Sequence, residues 1–358
     1  MRVRRSVPAL AVVLAVMGLP AVAHATAAPG ETAPSPRLAG KVPTRQLLQS
    51  VATLSASDAW AVGYTRQSRR TSTLIEHWDG ATWSVVASPD PGGRYVNRLY
   101  GVTALAADDV WAVGTFNHHA SHYDDNHTLV LHWDGRSWQQ VASPDGNQAI
   151  KNTLLGISGS AGDDVWAVGF YLQDAELGHR TLTLHWDGDR WSRVSTRGDG
   201  DLQPGFSTVA ALAADDVWAA GPHGSVAHWD GAAWYGPLRG LSYSASLSAS
   251  SPHDIWGVAE SSAFHFDGKR WSREPEAGLS GLTGVTAIRP GDALAVGGRD
   301  AEHWDGTTWT LVDTAEVGML RGVDASSSAE AWAVGHDGRS ALLEHWDGTS
   351  FTRYDSDG

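Results

Sequence analysis

Between Leu47 and Gly358 the apolar and polar positions of this chain follow one pattern seven times over. A short apolar run leads into Asp-x-Trp-Ala-Val-Gly. A second run ends in His-Trp-Asp-Gly, and after two more residues a third begins at an aromatic position. In the second copy the apolar segments are Leu99–Leu105, Val110–Gly114, Thr128–Trp133 and Ser137–Ala142. Each has strand length, and alternate residues of a strand face opposite sides. Short turns, Ala106–Asp109 and Asp134-Gly135-Arg136, separate the first from the second and the third from the fourth. Asp-Gly is a hairpin signal because Gly accepts φ > 0 and Asp caps its own turn. Four antiparallel strands per unit, repeated seven times, predict an all-β fold over residues 47–358: a seven-bladed β-propeller. A parallel β-helix has shorter coils and no paired hairpins, and a sandwich does not repeat so evenly.

The aromatic residues obey the same period. The first slot falls at Trp60, Trp111, Trp166, Trp218, Trp256, Leu294 and Trp332, and the second follows His77, His132, His185, His228, His265, His303 and His345. The third falls at Trp83, Trp138, Trp191, Trp234, Trp271, Trp309 and Phe351. All 18 tryptophans occupy these slots, and Phe266, Leu294 and Phe351 fill the remainder. The last repeat carries its own fourth strand and the first its own first strand. Closure is therefore expected from packing between blades rather than from a shared strand, with Val42–Gln46 available as an added outer strand.

The pattern Leu-x-Gly-Val, Asp-Val-Trp-Ala-Val-Gly, His-Trp-Asp-Gly-x-x-Trp resembles the repeats of secreted bacterial propellers. It is similar to Asp-box (sialidase-type) and photosystem-assembly-factor-type repeats, although the Asp-to-Trp distance is one residue shorter here, as from Asp79 to Trp83. The resemblance covers residues 47–358 and implies the fold, while propellers host many unrelated functions. Galactose-oxidase-like chemistry requires a Tyr–Cys crosslink, and this chain has no cysteine. A sialidase requires Arg-Ile-Pro, where this chain has Ile288-Arg289-Pro290.

The first 25 residues read as a secretory signal. Arg2, Arg4 and Arg5 precede an apolar stretch from Val7 to Val22, and Ala23-His24-Ala25 is a small-x-small cleavage site. Ser6-Val7-Pro8 after Arg4-Arg5 fits Sec export better than the twin-arginine route. Residues 26–46, rich in Ala, Pro and Thr, read as a flexible linker. The full chain carries a net charge of −14, and cleavage would remove three arginines. Such a surface disfavours nucleic acid and anionic membranes. No later segment is long and apolar enough to span a bilayer as a helix. The expectation is a secreted, monomeric protein held together by its core.

The seven histidines invite a metal or catalytic reading, but they are equivalent in every repeat. Each unit also has an acid two residues before its first aromatic slot: Asp58, Asp109, Asp164, Asp216, Asp254, Asp292 and Glu330. The start of strand two and the end of strand three share an edge of the sheet, so His and acid are expected to pair and lock each blade.

Function is sought where the copies differ. Successive first slots are 51, 55, 52, 38, 38 and 38 residues apart, so blades one to three carry the surplus. It lies in the loops Tyr64–Thr73, Thr115–His127 and Phe170–Thr181, and in the crossings Ser88–Asn97, Ser143–Asn152 and Ser195–Gly205. Both kinds emerge at one edge of an up-and-down blade, so one face of the disc should be built up and the other bare. On that face His118, His119, His122, Asp124 and His127 form a candidate transition-metal site, since neutral imidazole suits Zn, Cu, Fe or Ni. Arg66, Arg69, Arg70, Arg94 and Arg98 form a basic patch suited to a carboxylate or phosphate. Tyr64, Tyr95, Phe116, Tyr123, Phe170 and Tyr171 add rings of the kind that stack on sugars. These features favour a secreted, non-catalytic binding propeller that takes a glycan, a cell-envelope polymer or a protein partner. The alternative is an extracellular hydrolase or lyase on the same face, acting on a polysaccharide or small molecule with or without a metal, with Asp174, Glu176 and His179 as its acid–base groups. No Ser-His-Asp arrangement or carboxylate pair follows from spacing.

Overall fold

The computed structural model describes residues 44–356 apart from 120–124, 148, 174–177, 197–204, 223–224, 237–245, 260–261, 276–277, 279–280 and 316–317. The signal and linker segments up to Pro43 lie outside the described residues, and Val42–Gly358 forms one compact unit. Within it 28 strands and, among the described residues, no helix are found. Consecutive strands pair antiparallel in groups of four, giving units at residues 45–85, 96–140, 151–193, 208–235, 246–274, 282–312 and 319–354, with the second and third joined into one eight-stranded sheet by a parallel bridge from Asn126 to Lys151. The second unit comprises Val96–Ala106, Asp109–Asn117, Asn126–Trp133 and Trp138–Gln140, so all four expected strands form. Each first strand packs against the first strand of the next unit, and that of the seventh packs against that of the first. The chain is a β-propeller whose blades meet along their innermost strands. Arg45 and Gln46 open the first innermost strand, opposite Arg66 and Thr65, and add no outer strand.

Three rings meet at six of the seven blade boundaries. Trp60 of blade 1 contacts Trp133 of blade 2 at 5.0 Å and, edge-on, Trp138 at 5.4 Å. The same trio recurs with Trp111, Trp186 and Trp191, and with Trp166, Trp229 and Trp234. Across the closing boundary Trp332 meets Trp78 at 4.9 Å and Trp83 edge-on at 4.9 Å. The closure thus uses the same three-ring packing unit, and Tyr354 adds a fourth ring there. Each buried tryptophan removes ~150–250 Å² from water, worth roughly 4–6 kcal/mol as an upper bound. The indole N–H groups of Trp83, Trp138, Trp191 and Trp234 are buried without an oxygen partner, and the edge-on approach to a ring supplies the remaining contact. Two of the three exceptions in the aromatic pattern share one location: Leu294 and Phe351 sit in the same cluster with Trp346, between blades 6 and 7, while Phe266 packs against Trp218 and Trp271 between blades 4 and 5.

The histidines hold these rings in place. In all seven blades His Nε2 lies 2.7–2.9 Å from the acid two residues before the first slot: His77–Asp58, His132–Asp109, His185–Asp164, His228–Asp216, His265–Asp254, His303–Asp292 and His345–Glu330. The imidazole then lies against the first-slot ring, with His77 stacked 4.1 Å from Trp60 and His132 4.1 Å from Trp111. The tryptophan after the histidine donates its N–H to the first turn of its own blade, as from Trp78 to Ala56 O at 3.0 Å and Trp133 to Ala107 O at 3.2 Å. The expected His–acid lock is present throughout.

One acid sits in the channel wall. Asp324 is the sole Asp or Glu on the seven innermost strands. Its Oδ2 accepts from Thr53 N of blade 1 at 2.7 Å, and its Oδ1 lies 3.5 Å from Thr286 Oγ1 of blade 6. Thr53 Oγ1 donates back to Asp324 O at 3.1 Å. At the equivalent level Ser158 and Ser248 accept from Ala211 N and Ala287 N of their next blades, both at 3.0 Å. Asp324 therefore replaces a hydroxyl at the boundary where the chain's two ends meet. Burial pushes its carboxyl up to about 6 against these hydrogen bonds.

Two outcomes are expected. His185→Ala should cost about 1–3 kcal/mol by stranding Asp164 and lower the thermal midpoint by several degrees; an unchanged midpoint would refute the lock. Because Asp324 holds its proton more tightly folded than unfolded, stability is fully present near pH 4 and declines as pH rises through about 6. Asp324→Asn should remove that decline, raising stability at pH 8 by about 2–3 kcal/mol with little change at pH 4, measured by urea unfolding. The seven turn aspartates act with the opposite sign: backbone N–H groups hold the carboxyls of Asp79, Asp134, Asp187, Asp230 and Asp267 low, while at Asp305 and Asp347 the hydroxyls of Thr307 and Thr349 contribute most, ahead of the backbone. Their contribution is lost as pH falls below the ordinary carboxylate range, for Asp347 as it approaches about 2.

Candidate functional site

The two edges of the disc differ. At one edge the turn between strands three and four is an Asx turn in each blade; Asp134 Oδ1, for instance, accepts from Arg136 N at 3.0 Å and Ser137 N at 2.9 Å. At the other edge blades 1–3 are extended, and most of their surplus is strand rather than loop. In blade 1 pairing continues from Tyr64↔Thr73 to Gln67↔Arg70, leaving a tight turn with Ser68 at φ 58°. In blade 2 it runs to Asn117↔Asn126, and in blade 3 to Leu172↔His179. Blades 4 and 6 stop at Gly221↔Ser225 and Gly297↔Asp300. The added residues include Thr65, Thr71, Thr115, Thr128 and Thr181, whose β-branched side chains fit a pleated surface.

The first two crossings are braced by a shared clasp. Asp90 accepts from Thr73 N at 2.8 Å and Asp145 from Thr128 N at 2.8 Å. Asn97 Oδ1 accepts from Gly92 N, and Asn152 Oδ1 from Gly146 N, both at 2.7 Å. The signal is readable as Ser-Pro-Asp with an Asn following, at Ser88–Asn97 and Ser143–Asn152. Sequence reading assigned these crossings to function; their polar side chains fasten the outer part of the blade to the entering strand.

The candidate residues divide into three groups. Arg66, Arg69 and Arg70 are exposed at the tip of the blade-1 hairpin, and Arg94 is exposed with its guanidinium 5.4 Å from the Tyr95 ring. Arg98 lies 5.0 Å over the Tyr64 ring, and Tyr64 meets Tyr100 edge-on at 6.4 Å. By contrast Phe116 and Tyr171 are buried. Phe116 packs against His118 and His127, and Tyr171 accepts from Arg193 at 3.1 Å, so neither offers its ring to a ligand. Phe170 lies against His179, whose ring is held below the usual imidazole range by burial and by Lys151.

Of the candidate metal ligands, His122 and Asp124 lie outside the described residues, as do Tyr123, Asp174 and Glu176. His127 is turned to Asp145, Nδ1 to Oδ2 at 2.7 Å, while His119 Nε2 stands 3.6 Å from Asp125. His118 packs against Phe116 and His127. Among the described residues no three His, Asp or Glu side chains are grouped to hold a metal.

A group that sequence reading missed lies at the channel. Five innermost strands bulge at the variable position of Leu-x-Gly-Val, between Leu48 and Ser50, Leu99 and Gly101, Leu154 and Gly156, Leu282 and Gly284, and Leu320 and Gly322. A bulge re-aims a side chain, and Gln49, Tyr100, Leu155, Thr283 and Arg321 all line a central channel of about 400 Å³. The following glycine lets neighbouring blades approach: a methyl on Gly322 would stand 3.1 Å from Gln49 O. Blades 6, 7, 1, 2 and 3 thus each deliver one non-repeating side chain to a common collar. Burial pushes the Tyr100 hydroxyl above the usual phenol range, with Arg98 acting against it.

No family model matches the chain, and no curated protein matches it. Among solved structures it is similar to one described as YCF48 bound to D1 peptide, with a TM-score of 0.52 and 15% identity over 71% of this chain and 81% of that one. It is also similar to the extracellular domain of the putative hybrid two-component system BT3049 from B. thetaiotaomicron, with a TM-score of 0.54 and 10% identity. That match covers 83% of this chain and 39% of the other. Both likenesses agree with the propeller fold and reach no further.

Asp145→Ala should free both the Thr128 amide and His127. The expected result is faster hydrogen exchange at Thr128 and a loss of about 1–3 kcal/mol. Unchanged exchange would show that the crossing is not a brace.

Proposed function

We propose that this chain is an exported, non-catalytic binding propeller that takes a partner on the face carrying the extended hairpins of blades 1–3. The observation that carries the reading is the contrast between edges. The repeated His, Asp and Trp side chains are all engaged in identical blade contacts, whereas Arg66, Arg69 and Arg70 stand exposed on one projecting hairpin. Arg94–Tyr95 and Arg98–Tyr64 flank the same blade. Rings beside guanidiniums suit protein and glycan surfaces alike. A protein partner is favoured over a glycan or cell-envelope polymer because a structure of similar fold is described as bound to a peptide. Export is supported by the basic and apolar N-terminus with Ala23-His24-Ala25. A neighbour described as an extracellular domain agrees with it. No helix among the described residues is long and apolar enough to cross a membrane.

The test is binding of the purified chain to a peptide array and a glycan array. A triple variant, Arg66→Ala with Arg69→Ala and Arg70→Ala, should lose at least tenfold in signal, whereas Arg136→Ala on the opposite edge should not. Equal loss in both, or none in either, would place the partner elsewhere. Signal confined to the glycan array would replace the protein partner with a glycan.

A further inference from the structure

The channel collar is where the repeating frame delivers non-repeating side chains to one place, and its polar members are adjacent. In ring order blades 7, 1 and 2 contribute Arg321, Gln49 and Tyr100, and Arg98 stands behind Tyr100 on the same strand. Arg98 is held over the Tyr64 ring, 5.0 Å from its centre. Both Arg98 Nε and Arg321 Nε are buried without a hydrogen-bond partner. Among the described residues neither guanidinium is paired with a carboxylate. Asp324 lies three residues further along the Arg321 strand, and its carboxylate is taken by Thr53 and Thr286. His336 on the neighbouring strand is pushed below the usual imidazole range by burial and by Arg321.

A buried donor left without a partner is costly, and Arg321 Nε is such a donor in the wall of the channel. A chain of net charge −14 has many carboxylates that could have been placed there. A guanidinium fork matches a planar carboxylate through two parallel hydrogen bonds. We propose that the collar of the channel is a subsite for a single carboxylate group, bound by Arg321 with Gln49 and Tyr100 as neutral donors. The proposal deepens the binding reading of this face and rests on it. The channel volume of about 400 Å³ admits a small organic acid or the last few residues of a partner chain. Both sources share the carboxylate.

The experiment is calorimetric titration of the full chain with citrate, inorganic phosphate, and trialanine as free acid and as amide. Saturable binding of citrate or of the free-acid peptide is expected, weakened at least tenfold by Arg321→Ala and by Arg321→Gln. Arg270→Ala, in a turn on the opposite edge, should bind as wild type does. Binding of the peptide acid but not its amide identifies a chain terminus as the source; binding of citrate alone identifies a small acid. Equal binding by Arg321→Ala and wild type, phosphate binding alone, or no binding by any probe would overturn the subsite. Thermal midpoints of both Arg321 variants within a few degrees of wild type show that the loss is not unfolding. Array signal that depends on the blade-1 hairpin yet survives Arg321→Ala would leave the face standing without the collar.

Discussion

A single contact chain makes seven separate sheets into a ring. An acid at the start of the second strand fixes a histidine on the third; the histidine ring lies against a tryptophan; the tryptophan faces two rings of the next blade. Each step needs the one before it. Without the Asp58–His77 bond, nothing polar would hold the imidazole over Trp60, and Trp60 would be free to turn from Trp133 and Trp138. Most of the tertiary stabilisation is apolar area buried between blades, while a short polar bond inside each blade sets its direction.

The boundary between blades 6 and 7 shows how the ring tolerates change. A leucine stands where its neighbours have tryptophan, and the closing ring of the same cluster is phenylalanine. The two departures belong to one contact, although 57 positions separate Leu294 from Phe351. The polar bracket at that boundary is heavier: Ser328 Oγ donates to Asp292 Oδ2 at 2.5 Å, and Arg289 reaches both Ser328 and Asp292. The boundary joining the chain's ends has the opposite character, with full tryptophan packing, Tyr354 and the Asp324 bridge. Closure by packing places the demand on that boundary, since no strand is exchanged there.

Much of this was legible in the chain. Strand alternation, Asp-Gly turns and the His–acid spacing are short-range features, and each was repeated often enough to be separated from chance. The site was legible only in part. Counting surplus residues located the built-up edge but not their form, because threonine-rich segments of ten residues suit both a loop and an extended hairpin. Tyr64 and Arg98 do come together, the guanidinium over the ring. Phe116 and Tyr171 look the same in sequence, yet they fill the interiors of their own hairpins. The Ser-Pro-Asp clasps were visible as text; their partners, Thr73 and Thr128, lie on an earlier strand and carry no mark of their role.

The sequence by itself determined the frame: the strand order, the ring of blades, the locked histidines and the edge that carries the extra length. Each follows from residues near one another in the chain, where period and spacing are set by backbone geometry. The tertiary structure alone decided which variable residues meet. Gln49, Tyr100, Leu155, Thr283 and Arg321 are separated by dozens of residues, and they converge only because five bulges turn them into one channel. Asp324 likewise became the bridge of the closing boundary only when Thr53 was brought beside it, 271 positions away. Contacts of that range depend on where the ring closes, and no local pattern records it.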